Sequence, residues 1–397
     1  MAYSADAAVR KAAYEAELAA YPKLEIPMAA CLNGIKGEAL TLAELRHYDS
    51  VLDMALDGAN MDRATLHALL QAMEESLPMF RRYFRLKAKL LGYDGGLKFY
   101  DLFAPVGKAK GDYTPEDARE ILVRELGAFS PRMADMINRA FDERWIDMFP
   151  REGKGGGAFC SGVHPLGISY VLTNFDGNFG SVSTLAHELG HAYHNECMRD
   201  MPILMADYPM PLAETASIFN ETLLAQKILE KADRDTRIAL LEQQLSDAAQ
   251  VIVDIMSRYL FESEVVARRA DSTLGARELC EIMLEAQKQT YGDGLDPECL
   301  HPYMWACKSH YYSTDVHFYN FPYAFGQLFA VGVYALYEQK GAAFLPDYEK
   351  LLRSAGSGMV RDVAASVGID VADVNFWRGS LKVFADKLNE LEQLEGV

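Results

Sequence analysis

A mostly α-helical fold with a small β-sheet beside one helix is predicted by three observations. Apolar residues recur at helical spacing through nearly all of the 397 residues. One segment, Gly153 to Gly157, is the only strong break in that pattern. Just after it come the two likeliest strands, Ala158 to Ser161 and Ile168 to Thr173, in the second of which Ile168, Tyr170 and Leu172 alternate with Ser169, Val171 and Thr173.

Taken in order, Met1 to Tyr21 is an alternating charged and alanine-rich helical pattern without the apolar stretch of an export signal. Helices are expected over Leu42 to Leu56, Arg63 to Leu91, and Pro115 to Leu126, the last behind the N-cap Thr114. The glycine-rich stretch lacks the Gly-Lys-Ser/Thr ending of a phosphate loop and no helix follows it directly, so it reads as a mobile loop leading into the strands. Asp176-Gly177 supplies a turn. Ser181 or Ser183 can then cap a helix carrying Leu185, Ala186, Leu189 and Ala192. Tyr208-Pro209-Met210-Pro211 ends one helix and starts another, and Leu212 to Glu221 reads as a returning helix. Further helices are expected over Asp235 to Asp271, Glu278 to Thr290 and Val374 to Glu392. Without repeats, low-complexity tracts or a convincing linker, residues 1–397 read as one region, with two helical lobes around a cleft, approximately 1–150 and 151–397, as its expected organisation.

Composition narrows the function classes. Fifty per cent hydrophobic and 24% charged residues are ordinary for a soluble chain. The net charge of −18 disfavours nucleic acid or an anionic membrane as partner and mildly favours neutral or cationic peptides. No apolar run approaches the roughly 20 residues of a membrane span. The six cysteines are dispersed without C-x-x-C spacing, which points to free thiols in a reducing, cytoplasmic setting.

The most informative residues are His187-Glu188-Leu189-Gly190-His191. Two histidines four apart on a helix lie on one face, so both rings can reach one ion, and Glu188 stands at the edge of that face as a base for a metal-activated water. Gly190 costs helix stability of up to about 1 kcal/mol relative to alanine, which predicts that something approaches that surface closely. A catalytic zinc needs a third protein ligand. The metzincin pattern would place glycine and histidine where this chain has His194 and Cys197, so that class fails and His194 is expected on the flank of the helix. Glu196 points away from the ligand face, and Asp200 and Asp207 lie in the expected helix exit. Glu214 opens the returning helix and is better placed to complete a His, His, Glu set. Glu221, two turns on, is a candidate acceptor for a ligand N–H or else a solvated carboxylate.

The segments Gly153 to Phe159, Ser183 to Ala192, Glu214 to Glu221, Lys308 to Tyr312 and Phe318 to Gly326 together resemble the thimet oligopeptidase and oligoendopeptidase F family of zinc metallopeptidases, nearest the oligoendopeptidase F branch. The resemblance runs from near Ala7 onward. Members of that family carry a further N-terminal helical region before this point, and the sequence begins almost where that region would end. The resemblance implies a helical zincin-type fold with a deep cleft, one zinc per chain and Glu214 as third ligand. It implies an endopeptidase acting on short oligopeptides.

Six tyrosines or histidines fall between Ser309 and Tyr323. By composition they suit an aromatic core; chemically they suit donors to the oxyanion that forms when water attacks a peptide carbonyl. The resemblance assigns that role to His310, with Tyr319 and Tyr323 following, while Phe321 stands where the branch often has another tyrosine. His317 is the rival donor. A dipeptidyl carboxypeptidase-type exopeptidase and an idle peptide-binding protein are the alternative functions, and the presence of Glu188 counts against the second. The strand before the metal helix could pair through its free edge with an extended peptide.

Overall fold

The computed structural model describes residues 1–107 and 112–396. Its elements are α1 (Ala7–Ala20), α2 (Glu25–Leu45), α3 (Val51–Gly58), α4 (Arg63–Leu90), α5 (Pro115–Gly127), α6 (Pro131–Asp142), β1 (Ile146–Asp147), β2 (Phe159–Val163), β3 (Ile168–Leu172), α7 (Phe179–Met198), α8 (Met210–Ala213) and α9 (Thr215–Leu229). Then follow α10 (Arg234–Ala249), α11 (Ile255–Arg269), α12 (Ala276–Tyr291), α13 (Phe321–Lys340), α14 (Leu345–Arg353), α15 (Val360–Ala365) and α16 (Val374–Glu395). The mostly helical expectation with one small sheet is met. None of the described helices is long and apolar enough to cross a membrane.

The chain forms two compact units, one of Met1–Val106, Leu241–Ala324 and Phe384–Val397, the other of Gly107–Leu240 and Phe325–Val383. These are not the stretches 1–150 and 151–397, because long helices return the chain to each unit after excursions of more than fifty residues. A helix over Leu42 to Leu56 is also not continuous. His47 adopts a left-handed φ of 61°, and Ser50 starts a new helix by accepting a hydrogen bond from the Asp53 N–H at 3.1 Å.

In the first unit, α11 and α12 pack with α2 around Leu32, Phe261, Leu279, Met283, Trp305 and Tyr311. Three ion pairs are buried here: Arg10 with Asp101 at 2.7 Å, Lys36 with Glu262 at 2.6 Å, and Lys87 with Glu242 at 2.7 Å. Each charge has its counter-ion, which burial demands. The helical pattern from Asp235 to Asp271 is interrupted by a π-helical turn, Gln250–Asp254, between α10 and α11.

The second unit is built around α7. Its apolar face buries Leu185, Ala186, Leu189, Ala192, Tyr193 and Cys197, with α9, α14 and the sheet packed against it. Strand order is β1-β3-β2, with β3 parallel to β1 and antiparallel to β2 in the register Phe159↔Leu172 to Val163↔Ile168. Ser169 and Val171 form the buried side of β3, continued by Thr173 just beyond the strand, while Tyr170 is exposed. The inward hydroxyls are satisfied: Asn195 Nδ2 donates to Ser169 Oγ at 3.1 Å and Thr173 Oγ1 to the Met148 carbonyl at 3.0 Å. The glycine-rich loop before β2 is tethered, because Asn174 Nδ2 donates to the carbonyls of Gly155 and Gly157, and the buried Lys154 ammonium donates to the carbonyls of Asp147 and Phe149.

Gly190 marks the closest approach in this unit. A Cβ there would lie 2.5 Å from Ser217 Cα and 2.6 Å from the Ala216 carbonyl oxygen, both backbone atoms of α9. Gly190→Ala is therefore expected to destabilise the protein by about 1–3 kcal/mol, through displacement of α9 rather than through helix propensity, which favours alanine. Denaturant unfolding checks it, and an unchanged or raised midpoint would contradict the close approach.

Candidate active site

The cap of α7 is neither of the serines suggested by sequence. Asn178 accepts from the Ser181 N–H at 2.9 Å, and Ser181 Oγ instead donates to Asp176 at 2.5 Å. Nine residues into the helix, His187 begins the ligand face, with His191 one turn later. Glu214 sits at the junction between α8 and α9, with φ −86° and ψ 4°. The Pro209-Met210-Pro211 break starts the short α8, and α9 then runs back along α7.

These residues meet. One donor atom from each of His187, His191 and Glu214 lies within 4.8 Å of the others, a group that could hold a metal ion. Glu214 Oε2 is 3.3 Å from His187 Nε2 and 3.5 Å from His191 Nε2. Two atoms each about 2.1 Å from one tetrahedral ion stand roughly 3.4 Å apart, so both spacings suit ligands of a common ion. They are long for direct hydrogen bonds. Two further contacts orient the set. Ser217 Oγ donates to Glu214 Oε2 at 2.7 Å, and Glu221 Oε1 lies 3.5 Å from His187 Nδ1. A Cβ on Gly326 would come within 3.0 Å of Glu214 Cβ, so glycine there leaves the carboxylate its place.

The electrostatics fit a cation. Burial lowers the pKa of His191 to about 4 against the pull of Glu214, so its ring is neutral, as a ligand must be. Burial would also lower His187, but the carboxylates of Glu214 and Glu221 outweigh it and raise its pKa well above the ordinary value. Burial would raise Glu214, yet His187, His191 and Ser217 hold it down to about 2. The acids around His187 thus attract positive charge, either a proton on the ring or an ion among the three side chains. Glu188 is 5% exposed, and its Oε2 is buried without a hydrogen-bond partner. Burial, helped by Glu214 and Glu221 and opposed by His187, raises its pKa to about 7, in the range of a proton acceptor working near neutrality.

The other candidate ligands fall elsewhere. His194 is fully buried rather than on an open flank: its ring stacks on Tyr208 at 4.0 Å and its Nε2 meets the Leu352 carbonyl at 3.1 Å. Glu196 pairs with Arg132 and Arg139, and Asp200 with Arg353.

The first unit holds the second group. His310 lies in the 3-10 turn Ser309–Tyr312, its ring 5.5 Å from that of Tyr319, and the hydroxyls of Tyr319 and Tyr323 are 2.8 Å apart. Tyr323 and Gly326 stand on α13. Tyr311 is core, whereas His310, Tyr319 and Tyr323 are only partly buried. Burial, then the cations Arg258, Lys36 and Lys308, lower His310 to about 4, and burial with Lys36 lowers the rival His317 to about 4. Sequence reasoning missed Ser217, which shares a helix face with Glu214 three residues earlier and could have been found from that spacing. It also missed Glu262, Arg258 and Asn320, which no local spacing connects to His310.

Comparisons with known proteins identify the family. The model of peptidase family M3 matches residues 1–382. The chain is 29% identical over 402 residues to Group B oligopeptidase PepB of Streptococcus agalactiae, covering 98% of this chain and 65% of that protein. It is 30% identical over 395 residues to the chromosomal oligoendopeptidase F of Lactococcus lactis subsp. cremoris, covering 97% and 64%. Among solved structures, a Chlamydophila abortus chain superposes with a TM-score of 0.86 at 26% identity, covering 99% of this chain and 66% of that one. Oligoendopeptidase-F from Enterococcus faecium shares the fold at a TM-score of 0.75 and 22% identity, covering 100% and 65%. The chain thus spans about two thirds of the length of the curated relatives it matches. With the family match running through all but the last residues, the protein is a member of peptidase family M3.

Proposed function

We propose that this chain is the catalytic region of a zinc-dependent endopeptidase that hydrolyses internal bonds of short peptides. The observation that carries the reading is the His187, His191, Glu214 triangle, spaced for one tetrahedral ion, with the buried Glu188 carboxylate beside it. Two histidines and one glutamate suit catalytic zinc, which keeps its fourth position for water or substrate, ahead of cobalt or manganese. Bound there, zinc would polarise the scissile carbonyl and acidify the attacking water to a pKa of roughly 7.

The chain's own residues supply the rest. Glu188 takes the proton of the attacking water and delivers it to the leaving amine, the part of a general base and then general acid. Glu221 holds the His187 ring through its Nδ1, and Ser217 holds the Glu214 carboxylate. Following the family resemblance, His310 with Tyr323 or Tyr319 donates hydrogen bonds to the oxyanion; a neutral imidazole and two phenols are suitable donors. The strand before α7, expected to offer a free edge, is β3, which lies between β1 and β2; the strand left at the edge of the sheet is β2, and its backbone groups would align an extended peptide with little demand on sequence. Six free cysteines are in keeping with a reducing, cytoplasmic setting.

Three outcomes are expected. Wild type binds one zinc per chain, and Glu188→Gln keeps that zinc while losing several orders of magnitude in kcat, because the water then lacks its base. Elemental analysis and cleavage of an internally quenched peptide blocked at both ends measure both; a fully active variant would remove Glu188 from the mechanism. Competition against a chromogenic chelator should show zinc affinity falling sharply in Glu214→Ala but little in Glu196→Ala or Asp207→Ala, and equal affinities would reassign the third ligand. Finally, His310→Ala and Tyr323→Phe should each lower kcat about 100 to 1000-fold with KM nearly constant, as donors engaged only in the transition state do. If His317→Ala is the crippled variant instead, the donor role moves to that ring.

A further inference from the structure

Helix α11 and the π-helical turn before it present Asp254, Arg258 and Glu262, four residues apart, towards the segment that carries His310 and Asn320. Glu262 anchors the backbone of that segment. Its Oε1, paired with Lys36, accepts the Phe318 N–H at 3.0 Å, and Phe318 is held at a left-handed φ of 51°. Arg258, paired with Asp254, donates from Nη1 to Asn320 Oδ1 at 3.2 Å. Asn320, 8% exposed, reaches His310 Nε2 with its Nδ2 at 2.8 Å.

This arrangement decides a proton position that coordinates alone leave open. A guanidinium has donors and no acceptor, so the amide oxygen of Asn320 must face Arg258. Its NH₂ group must then face His310, and since that group only donates, His310 Nε2 must accept. A nitrogen that accepts carries no proton. The opposite amide orientation would set NH₂ against the guanidinium and lose a charge-assisted bond. We propose that Asn320, oriented by Arg258, is a positioning residue that keeps His310 neutral with its proton on Nδ1. This builds on the assignment of His310 as an oxyanion donor, and it makes Nδ1 the nitrogen that donates. The cations Arg258, Lys36 and Lys308 act in the same direction by opposing a second proton on the ring.

The test uses the zinc-loaded full chain labelled with nitrogen-15 histidine, with the His310 signals identified by their loss in His310→Gln. Long-range proton–nitrogen correlation spectra near neutral pH should show Nδ1 protonated and Nε2 bare. Asn320→Asp keeps the shape but turns an acceptor towards Nε2; it should move the proton to Nε2 or make the ring cationic. Its kcat should fall about 100-fold with KM, zinc content and melting temperature little changed. A wild-type ring protonated on Nε2, or a tautomer indifferent to Asn320→Asp, would overturn the proposal. If the tautomer shifts as expected while Asn320→Asp and His310→Gln both remain active, the positioning stands and the part given to His310 in the reaction falls.

Discussion

Everything proposed for the metal centre depends on how closely the backbone of α9 lies on α7 at Gly190. Two ligands four residues apart on one helix are fixed by helical geometry, but the third comes from another element, and its reach is set by the distance between the two. With no Cβ at Gly190, the Ala216 and Ser217 backbone closes on α7 and carries Glu214 to within 3.5 Å of both imidazoles. Asn220 reinforces the contact by donating to the Ala186 carbonyl at 3.3 Å. A side chain at Gly190 or at Gly326 would push the helix or the carboxylate away, so two glycines do for Glu214 what helical spacing does for His187 and His191.

The two groups of functional candidates sit in opposite local fields. Around His187 the carboxylates of Glu214 and Glu221 dominate, raising the affinity of the ring for positive charge, while burial first and these carboxylates second push Glu188 towards neutrality. Around His310 the charges are Arg258, Lys36 and Lys308, and the ring is kept from protonating. Each field suits the task proposed for it, a cation in one case and an uncharged hydrogen-bond donor in the other. The cations near His310 are affordable only because Lys36 and Arg258 each have a buried acid beside them, Glu262 and Asp254.

Local signals failed where several candidates competed on chemistry alone. Ser181, Ser183 and Asn178 all suit an N-cap, and the turn formed with Asp176 selected Asn178 by engaging Ser181 Oγ elsewhere. The run from Leu42 to Leu56 has helical periodicity on both sides of His47, and nothing in that period reveals the left-handed residue that redirects the chain. The division into units was hidden for a related reason. Contacts between segments more than a hundred residues apart leave no trace in local composition, so a boundary sought along the sequence could not match units built from returning helices.

What the sequence determined by itself was the helical class and the sheet before α7, and it brought forward the residues of the candidate centre, because each depends on spacing within one element or on a break beside it. His187, Glu188 and His191 share a turn of helix, and Glu214 follows a proline break that starts the next one. The tertiary structure alone decided that Glu214 meets both histidines, that Glu221 faces His187, and that His194 is enclosed by Tyr208 and Leu352. It alone connected Arg258 to Asn320 across 62 residues and Asn320 to His310. The physical reason is the range of the forces involved. Periodicity and capping act over a few residues, whereas ligand spacing, buried pairing and tautomer choice depend on atoms that only packing brings together.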